Sequence, residues 1–402
     1  MKIGILTFQR SINYGAFMQC YALSNRLRQD FPDIEIEVID YTSERIDKHY
    51  KAWIETADPA RNQGRKHIKA AFEKSYQFLP LSERRMCSDD MPELMQWLND
   101  TYDIIIVGSD AVWNWNIRGF PNPYFLHDYK GIKLSYAASA FGQCYRDMTP
   151  GQRAYLQEAF RDFRYLGVRD AATEDMLHMV DPQLEVHHNC DPTVLLEPEK
   201  LPCSIETVRE KFRKKGLDLA KPMIGLMAGE SNVGRELRKY LKHDVQLVAL
   251  YEPNGWADAY LDDLTPFEWA RAFSLLQCTV THFFHGTMLS LVNGIPPIIA
   301  EAKQGYAANY ITKIYDVLTR LDFLQWYHAV PMSFCTRLCK KMSLPTNRGM
   351  WKQICRDIRQ MNGQEAAIQI HSRLKQEAES YTSFQKVLED CIRTVKKEKE
   401  IG

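Results

Sequence analysis

The chain reads as an α/β protein built from two Rossmann-like units, and three observations predict this. Short apolar, β-branched runs alternate with helix-like stretches, the pattern of parallel sheets with crossover helices. This alternation begins, breaks in a proline-bearing segment (Pro192, Pro198, Pro202), and starts again. At 402 residues the chain exceeds what one core usually takes.

Ile3–Phe8 is the first buried strand, and Asn13-Tyr14-Gly15 ends it. Phe17, Tyr21, Ala22 and Leu27 then recur near helical spacing over 16–28, and Ile34–Asp40 is a second strand. Residues 43–100 read as polar and helical in character. Further strands are predicted at Asp103–Val107, Lys133–Ala137 and Tyr165–Val168, with a helix from about Pro150 to Phe163. These make an N-terminal domain over 1–195, followed by a hinge over 196–218. Strands restart at Met223–Met227 and Val245–Tyr251. Thr265-Pro-Phe-Glu268 is a capping box opening a helix to Leu276. The strand Thr279–His282 and a helix after His285 complete a C-terminal domain over 219–345, and charged helices fill 346–402.

Composition excludes several function classes. Lysine plus arginine equals aspartate plus glutamate, at 51 each, so no global field favours nucleic acid or an anionic membrane. No apolar run reaches the about 18 residues of a membrane helix. The start, MKIGILTF, lacks the form of a signal peptide. The ten cysteines are scattered singly; Cys335 and Cys339 stand four apart with no histidine pair to complete a zinc site. A cytoplasmic protein with buried or free thiols is expected.

Thr281–Pro297, THFFHGTMLSLVNGIPP, carries the most chemistry. It places His285 at the C-terminal end of a strand and at the mouth of a helix, where open α/β sheets bind ligands. A helix start offers amide N–H groups to an anion. His282, three residues earlier, reads better as a strand-end histidine than as a metal ligand, because no third ligand is evident. In NYGAFMQCYAL, residues 13–23, Asn13 fits a helix cap and Gly15 permits close approach of a ligand; the two uses are compatible. In IIIVGSDAVWN, residues 104–114, Asp110 is either a helix cap or a base and hydroxyl acceptor. Trp113 and Trp115 are either core or a sugar-stacking face. Ser139, in YAASAFG, offers a hydroxyl to a phosphate. Arg169, in LGVRDAA, would either fork a carboxylate or phosphate or form a surface ion pair with Asp170 or Glu174.

Taken in order, these motifs resemble the polysaccharide pyruvyl transferase family. The likeness runs from MKIGILTF and NYGA–Q–YAL through IIIVGSD–VWN, YAAS–FG, VRD and CDPTVLL. It continues through TPFEWA to FFHGTMLSLVNGIPPI, with an echo at Asn309–Leu318. The chain departs from the family pattern at Ala111, His282, Phe283 and Lys313. The resemblance implies two Rossmann-like domains facing a cleft, as in GT-B glycosyltransferases. It implies transfer of the pyruvyl group of phosphoenolpyruvate to two hydroxyls of a surface-polysaccharide sugar, or of its precursor, with a ketal formed and phosphate released. On that reading His285 is the general acid or base, since imidazole ordinarily titrates at about 6.5. Asp110 joins it as a catalytic residue. Arg169, Gly286, Thr287 and Lys313 hold the donor, and Asn13, Tyr14, Gly15 and Trp113 face the acceptor. Neither a metal nor a cofactor is expected; phosphoenolpyruvate is the donor substrate. The acceptor is a saccharide, and a lipid-linked one would be met at the inner face of the membrane. Two other readings stand beside this one. One is a nucleotide-sugar glycosyltransferase of GT-B type, with Glu230 as the ribose-binding acid. The other is a non-catalytic relative acting in polysaccharide assembly.

Overall fold

A computed structural model describes residues 1–54, 59–141, 145–228, 231–302, 312–330 and 348–401. Two compact units emerge. The first comprises 1–56, 75–196 and 376–402, and the second 57–74 and 197–375. The segment 196–218, expected as a hinge, carries the helix Ile205–Lys214, which buries Val208 and Phe212.

In the first unit, seven parallel strands form one sheet in the order β3-β2-β1-β4-β5-β6-β7. They are β1 (Lys2–Leu6), β2 (Glu35–Thr42), β3 (Leu81–Cys87), β4 (Ile104–Val107), β5 (Ile132–Ala138), β6 (Phe163–Val168) and β7 (Val186–His188). β1 and β4 are fully apolar or glycine beyond Lys2 and lie at the centre, as buried parallel strands require. Strand order reverses between them. The loops after β1 and β4 therefore leave the sheet at its switch point, where open α/β sheets bind ligands. The core beside this sheet includes Ile105, Val107, Phe125 and Phe160. The terminal helix Ser380–Ile401 belongs to this unit, with Phe384 packed edge-on to Tyr136 at 4.9 Å.

In the second unit, six strands run in the order β10-β9-β8-β11-β12-β13. They are β8 (Met223–Met227), β9 (Gln246–Ala249), β10 (Ala259–Tyr260), β11 (Cys278–Thr281), β12 (Pro297–Ala302) and β13 (Tyr327–Val330), all parallel to their neighbours. The switch point lies between β8 and β11. Ile224, Leu226, Leu247, Val280 and Ile298 form the core, with Trp351 and Ile354 of the helix Arg348–Gln360 packed on it. The capping box is present as read: Thr265 accepts from the Glu268 amide, and Glu268 accepts from the Thr265 amide. The region 346–402 thus divides between the units.

Candidate functional site

Each unit brings the sequence motifs together at its own switch point. In the first unit, Asn13 caps the helix Tyr14–Asp30, its Oδ1 accepting from the amides of Gly15 and Ala16 at 2.9 and 3.2 Å. Tyr14 and Gly15 lie buried in the first turn of that helix. Gln19, one turn further, is fully buried and ties this helix to the β4 loop. Its Nε2 donates to Thr7 Oγ1 at 2.9 Å, and its Oε1 accepts from the Ser109 amide at 3.1 Å. The Thr7 hydroxyl in turn donates to the Ser109 carbonyl at 3.0 Å. Gln19 belongs to the motif that carries the family likeness, but neither its burial nor its long-range partners can be read from the sequence.

Gly108-Ser109-Asp110 makes a tight turn off β4. Gly108 has φ +112° and sits where a Cβ would come within 2.4 Å of the Tyr136 carbonyl, so only glycine fits. Asp110 itself has φ +80°, a left-handed backbone that costs a non-glycine residue about 1–3 kcal/mol. It caps no helix: the short helix Trp115–Arg118 is capped by Asn114. The Asp110 side chain is 13% exposed, and its Oδ1 accepts from the Ala111 amide at 2.7 Å and from Arg169 Nη2 at 3.4 Å.

Arg169 is not the surface ion pair that its neighbours Asp170 and Glu174 offered. Its side chain is 1% exposed, and Nη1 donates to Asp191 Oδ2 at 2.8 Å. Asp191 Oδ1 also accepts from the Thr193 amide and hydroxyl. Burial alone would lower the Arg169 pKa; Asp191, then Asp110, override it and hold the guanidinium charged. Asp170 instead caps the helix Ala171–Val180 and accepts from Ser139 Oγ at 2.6 Å. Ser139 is fully buried, so its hydroxyl serves Asp170 and not a phosphate. Glu174 pairs with His188.

Trp113 was expected on the acceptor side, and the structure corrects this. Its indole is fully buried, edge-on to Phe160 at 4.9 Å, with Nε1 donating to the Tyr124 carbonyl at 3.0 Å. A buried indole whose N–H has found a backbone partner is a core residue.

In the second unit, Thr281 shapes the turn into the next helix. Its Oγ1 accepts from the Phe283 amide at 2.9 Å and donates to the Met227 carbonyl at 3.4 Å. The helix Phe284–Val292 follows, with no side-chain cap, and His285 is its second residue, 9% exposed. His282 stacks tilted on Phe283 at 4.4 Å, and Phe283 on Tyr251 at 4.9 Å. Thr287 was expected among the donor-binding amides. Instead both its N–H and its hydroxyl donate to the Phe283 carbonyl, at 3.0 and 3.1 Å, closing the first helical turn. Gly286 lies one residue nearer the open end, among the first-turn amides that a helix cannot satisfy internally. Lys313 opens the helix Lys313–Arg320, and its ammonium stands 5.3 Å from the Phe284 ring centroid. Thus His285 and an open helix start stand at the end of β11, with the Lys313 ammonium against the neighbouring Phe284 ring.

Gly286 also fixes the packing there. A Cβ would fall 2.7 Å from Thr281 Oγ1 and 2.9 Å from the Met227 side chain. Gly286→Ala is expected to cost about 1–3 kcal/mol through overpacking, read as a lower urea midpoint with an unchanged slope.

Glu230, Cys335 and Cys339 lie outside the described residues. Among the described residues no group of three His, Cys, Asp or Glu side chains is placed to hold a metal ion, and no helix is long and apolar enough to cross a membrane. Cys20, Cys190, Cys278, Cys355 and Cys391 are buried free thiols, and Cys87 is exposed.

The model of the polysaccharide pyruvyl transferase family matches residues 13–300, from the Asn13 cap to β12. The chain belongs to this family. It is therefore a transferase of the polysaccharide-modifying kind, and a saccharide acceptor is implied. No curated protein sequence matches it. Solved structures that share its fold include two sugar-nucleotide epimerases. One is a Listeria monocytogenes protein described as a UDP-N-acetylglucosamine 2-epimerase, 10% identical at TM-score 0.54, covering 96% of this chain and 95% of that one. The other is the Neisseria meningitidis UDP-GlcNAc 2-epimerase bound to UDP-GlcNAc, 9% identical at TM-score 0.51, covering 95% of this chain and 100% of that one. The fold of this family member is of the GT-B type.

Proposed function

We propose that this transferase moves the pyruvyl group of phosphoenolpyruvate onto two hydroxyls of a saccharide, forming a cyclic ketal and releasing phosphate. In that reaction both acceptor oxygens bond to the donor's C2 and the C2–phosphate oxygen bond breaks. One hydroxyl proton ends on the former methylene carbon, and the other leaves with phosphate. The chemistry needs cations for the donor's carboxylate and phosphate, a proton-transfer group and exclusion of water.

The observation that carries the reading is the placing of His285 at an open helix start at the end of β11, with Lys313 against the adjoining Phe284 ring. His285, Lys313 and the start of the helix Phe284–Val292 supply a titratable imidazole beside positive charge. His285 is the proton-transfer residue, with Lys313 and the Gly286 amide toward the donor's anionic groups. In the first unit Asp110 orients an acceptor hydroxyl or takes its proton. Arg169, engaged by Asp191 and Asp110, acts by fixing the Asp110 carboxylate and so is a positioning residue. The Asn13 cap sets the loop beside it.

Ligand-dependent thermal unfolding tests the donor. Phosphoenolpyruvate at about 100 times its Kd should stabilise the protein by about 2.7 kcal/mol, while UDP and GDP leave the midpoint unmoved. Stabilisation by a nucleoside diphosphate and none by phosphoenolpyruvate would favour a nucleotide-sugar glycosyltransferase instead.

A further inference from the structure

The first unit contains a cavity of ≈ 240 Å³ beside the ends of β1 and β2, lined also by Gly119 and Phe120. Its charge is unusual. Three arginines line it, Arg10, Arg45 and Arg118, against one carboxylate, Asp89. Arg10 is already neutralised: its guanidinium forks the buried Asp40, with Nε at 2.7 Å, and stacks on Tyr76. Arg45 donates Nη2 to the Ile117 carbonyl, and no carboxylate among the described residues forms an ion pair with it.

Arg118 is the telling residue. Its guanidinium lies over the Phe8 ring, 3.2 Å from the centroid, and its Nε is shielded from solvent with no hydrogen-bond acceptor among the described residues. No carboxylate among them forms an ion pair with it. Burial lowers its pKa, and Arg45 adds to that against the opposing pull of Tyr124, Tyr50 and Asp110. A guanidinium is nearly always charged, and this one is half-buried, with its Nε shielded and no carboxylate among the described residues against it, so its charge is poorly compensated. A protein that keeps such a charge beside a cavity is built to receive an anion there. Hydroxyls of Ser11, Thr42 and Ser43 line the same space and supply further donors. The aromatic walls, Phe120 and Tyr124, suit the face of a sugar ring.

We infer that this cavity is an oxyanion subsite for the acceptor, holding a phosphate ester carried by the saccharide through Arg118 and Arg45. The fork of Arg118 matches phosphate geometry, and two arginines against one aspartate favour a dianion over a carboxylate. The inference rests on the pyruvyl-transfer reading only in naming the ligand an acceptor.

Calorimetric titration of the full chain with glucose 1-phosphate, glucuronate and methyl glucoside tests it. Glucose 1-phosphate should bind more tightly than the other two, and saturating phosphoenolpyruvate should not displace it. Arg118→Met should weaken that binding about 10–100-fold, the worth of a charge-assisted hydrogen-bond pair, with Arg118→Lys intermediate. The Arg118→Met melting temperature should stay level or rise, because a half-buried, poorly compensated charge is removed; a purely structural arginine would lower it. Should Arg118→Met not fold, Arg45→Gln provides the same affinity readout. Glucuronate binding in preference, no glucose 1-phosphate binding, displacement by phosphoenolpyruvate, or unchanged affinity in both arginine variants would each overturn the inference. Phosphoenolpyruvate titrated alone reads the donor independently. Its failure to bind, with the arginine dependence intact, would sink the pyruvyl-transfer reading and leave the subsite standing.

Discussion

His285→Ala is expected to lower turnover about 10²–10⁴-fold, the usual contribution of a positioned proton-transfer residue. The side chain stands at the second position of the helix Phe284–Val292, at the carboxyl end of β11 and beside the switch point of its sheet. It packs edge-on against Phe284, and the Lys313 ammonium stands 5.3 Å from the centroid of that ring. Truncation to alanine leaves the helix start and the lysine in place, so donor binding should survive while the chemical step fails. Steady-state kinetics should therefore show kcat falling far more than KM rises. A fall of less than threefold with unchanged far-ultraviolet circular dichroism would remove His285 from the mechanism.

Arg169→Leu is expected to destabilise the protein by about 3–5 kcal/mol. The Arg169 and Asp191 side chains are each 1% exposed, so the substitution strands a buried carboxylate. It also releases the Asp110 carboxylate, whose backbone is held in the left-handed region by the surrounding loops. Urea unfolding of Arg169→Leu, Asp191→Leu and the double variant would separate these effects. The double variant should lose less than the sum of the singles, because the two charges are removed together. Strict additivity, or a loss below about 1 kcal/mol for Arg169→Leu, would mean that the pair holds nothing in place.

The central strands were legible because burial on both faces of a parallel sheet demands continuous apolar runs. KIGIL, IIIV, MIGLM and CTVT all have that form or near it. β3 was not legible. Its sequence, LSERRMC, exposes Glu83, Arg84 and Arg85, as an edge strand can, and it lies in a stretch that reads as helical. β12 opens on Pro297 and was not read as a strand from the sequence, although a proline is tolerated as the first residue of one. β7 and β10 are three and two residues long, too short for any periodicity.

The candidate site was legible where its chemistry is local. Asn13 caps the helix that it precedes, and His285 stands at the helix mouth that the motif describes. It was illegible where the fold supplies the partner. Arg169 meets Asp191 only because β7 brings that aspartate alongside β6, so the sequence offered its neighbours Asp170 and Glu174 instead. Trp113 looks amphipathic in sequence, but the Tyr124 carbonyl satisfies its N–H inside the core. Thr287 was expected to face an anion with its amide, yet it sits one position too deep, where the N–H already closes the helical turn. Arg118, the last residue of a one-turn helix too short for a periodic pattern, becomes conspicuous only when Phe8 lies beneath it.

Acceptor-dependent phosphate release from phosphoenolpyruvate is the most direct test of pyruvyl transfer. The purified protein should be assayed with free and lipid-linked saccharides beside the His285→Ala variant. Release that requires a saccharide, forms a pyruvate ketal on it and vanishes in the variant is the predicted result. Saccharide modification by the same protein from a nucleotide sugar, with phosphoenolpyruvate untouched, would contradict it.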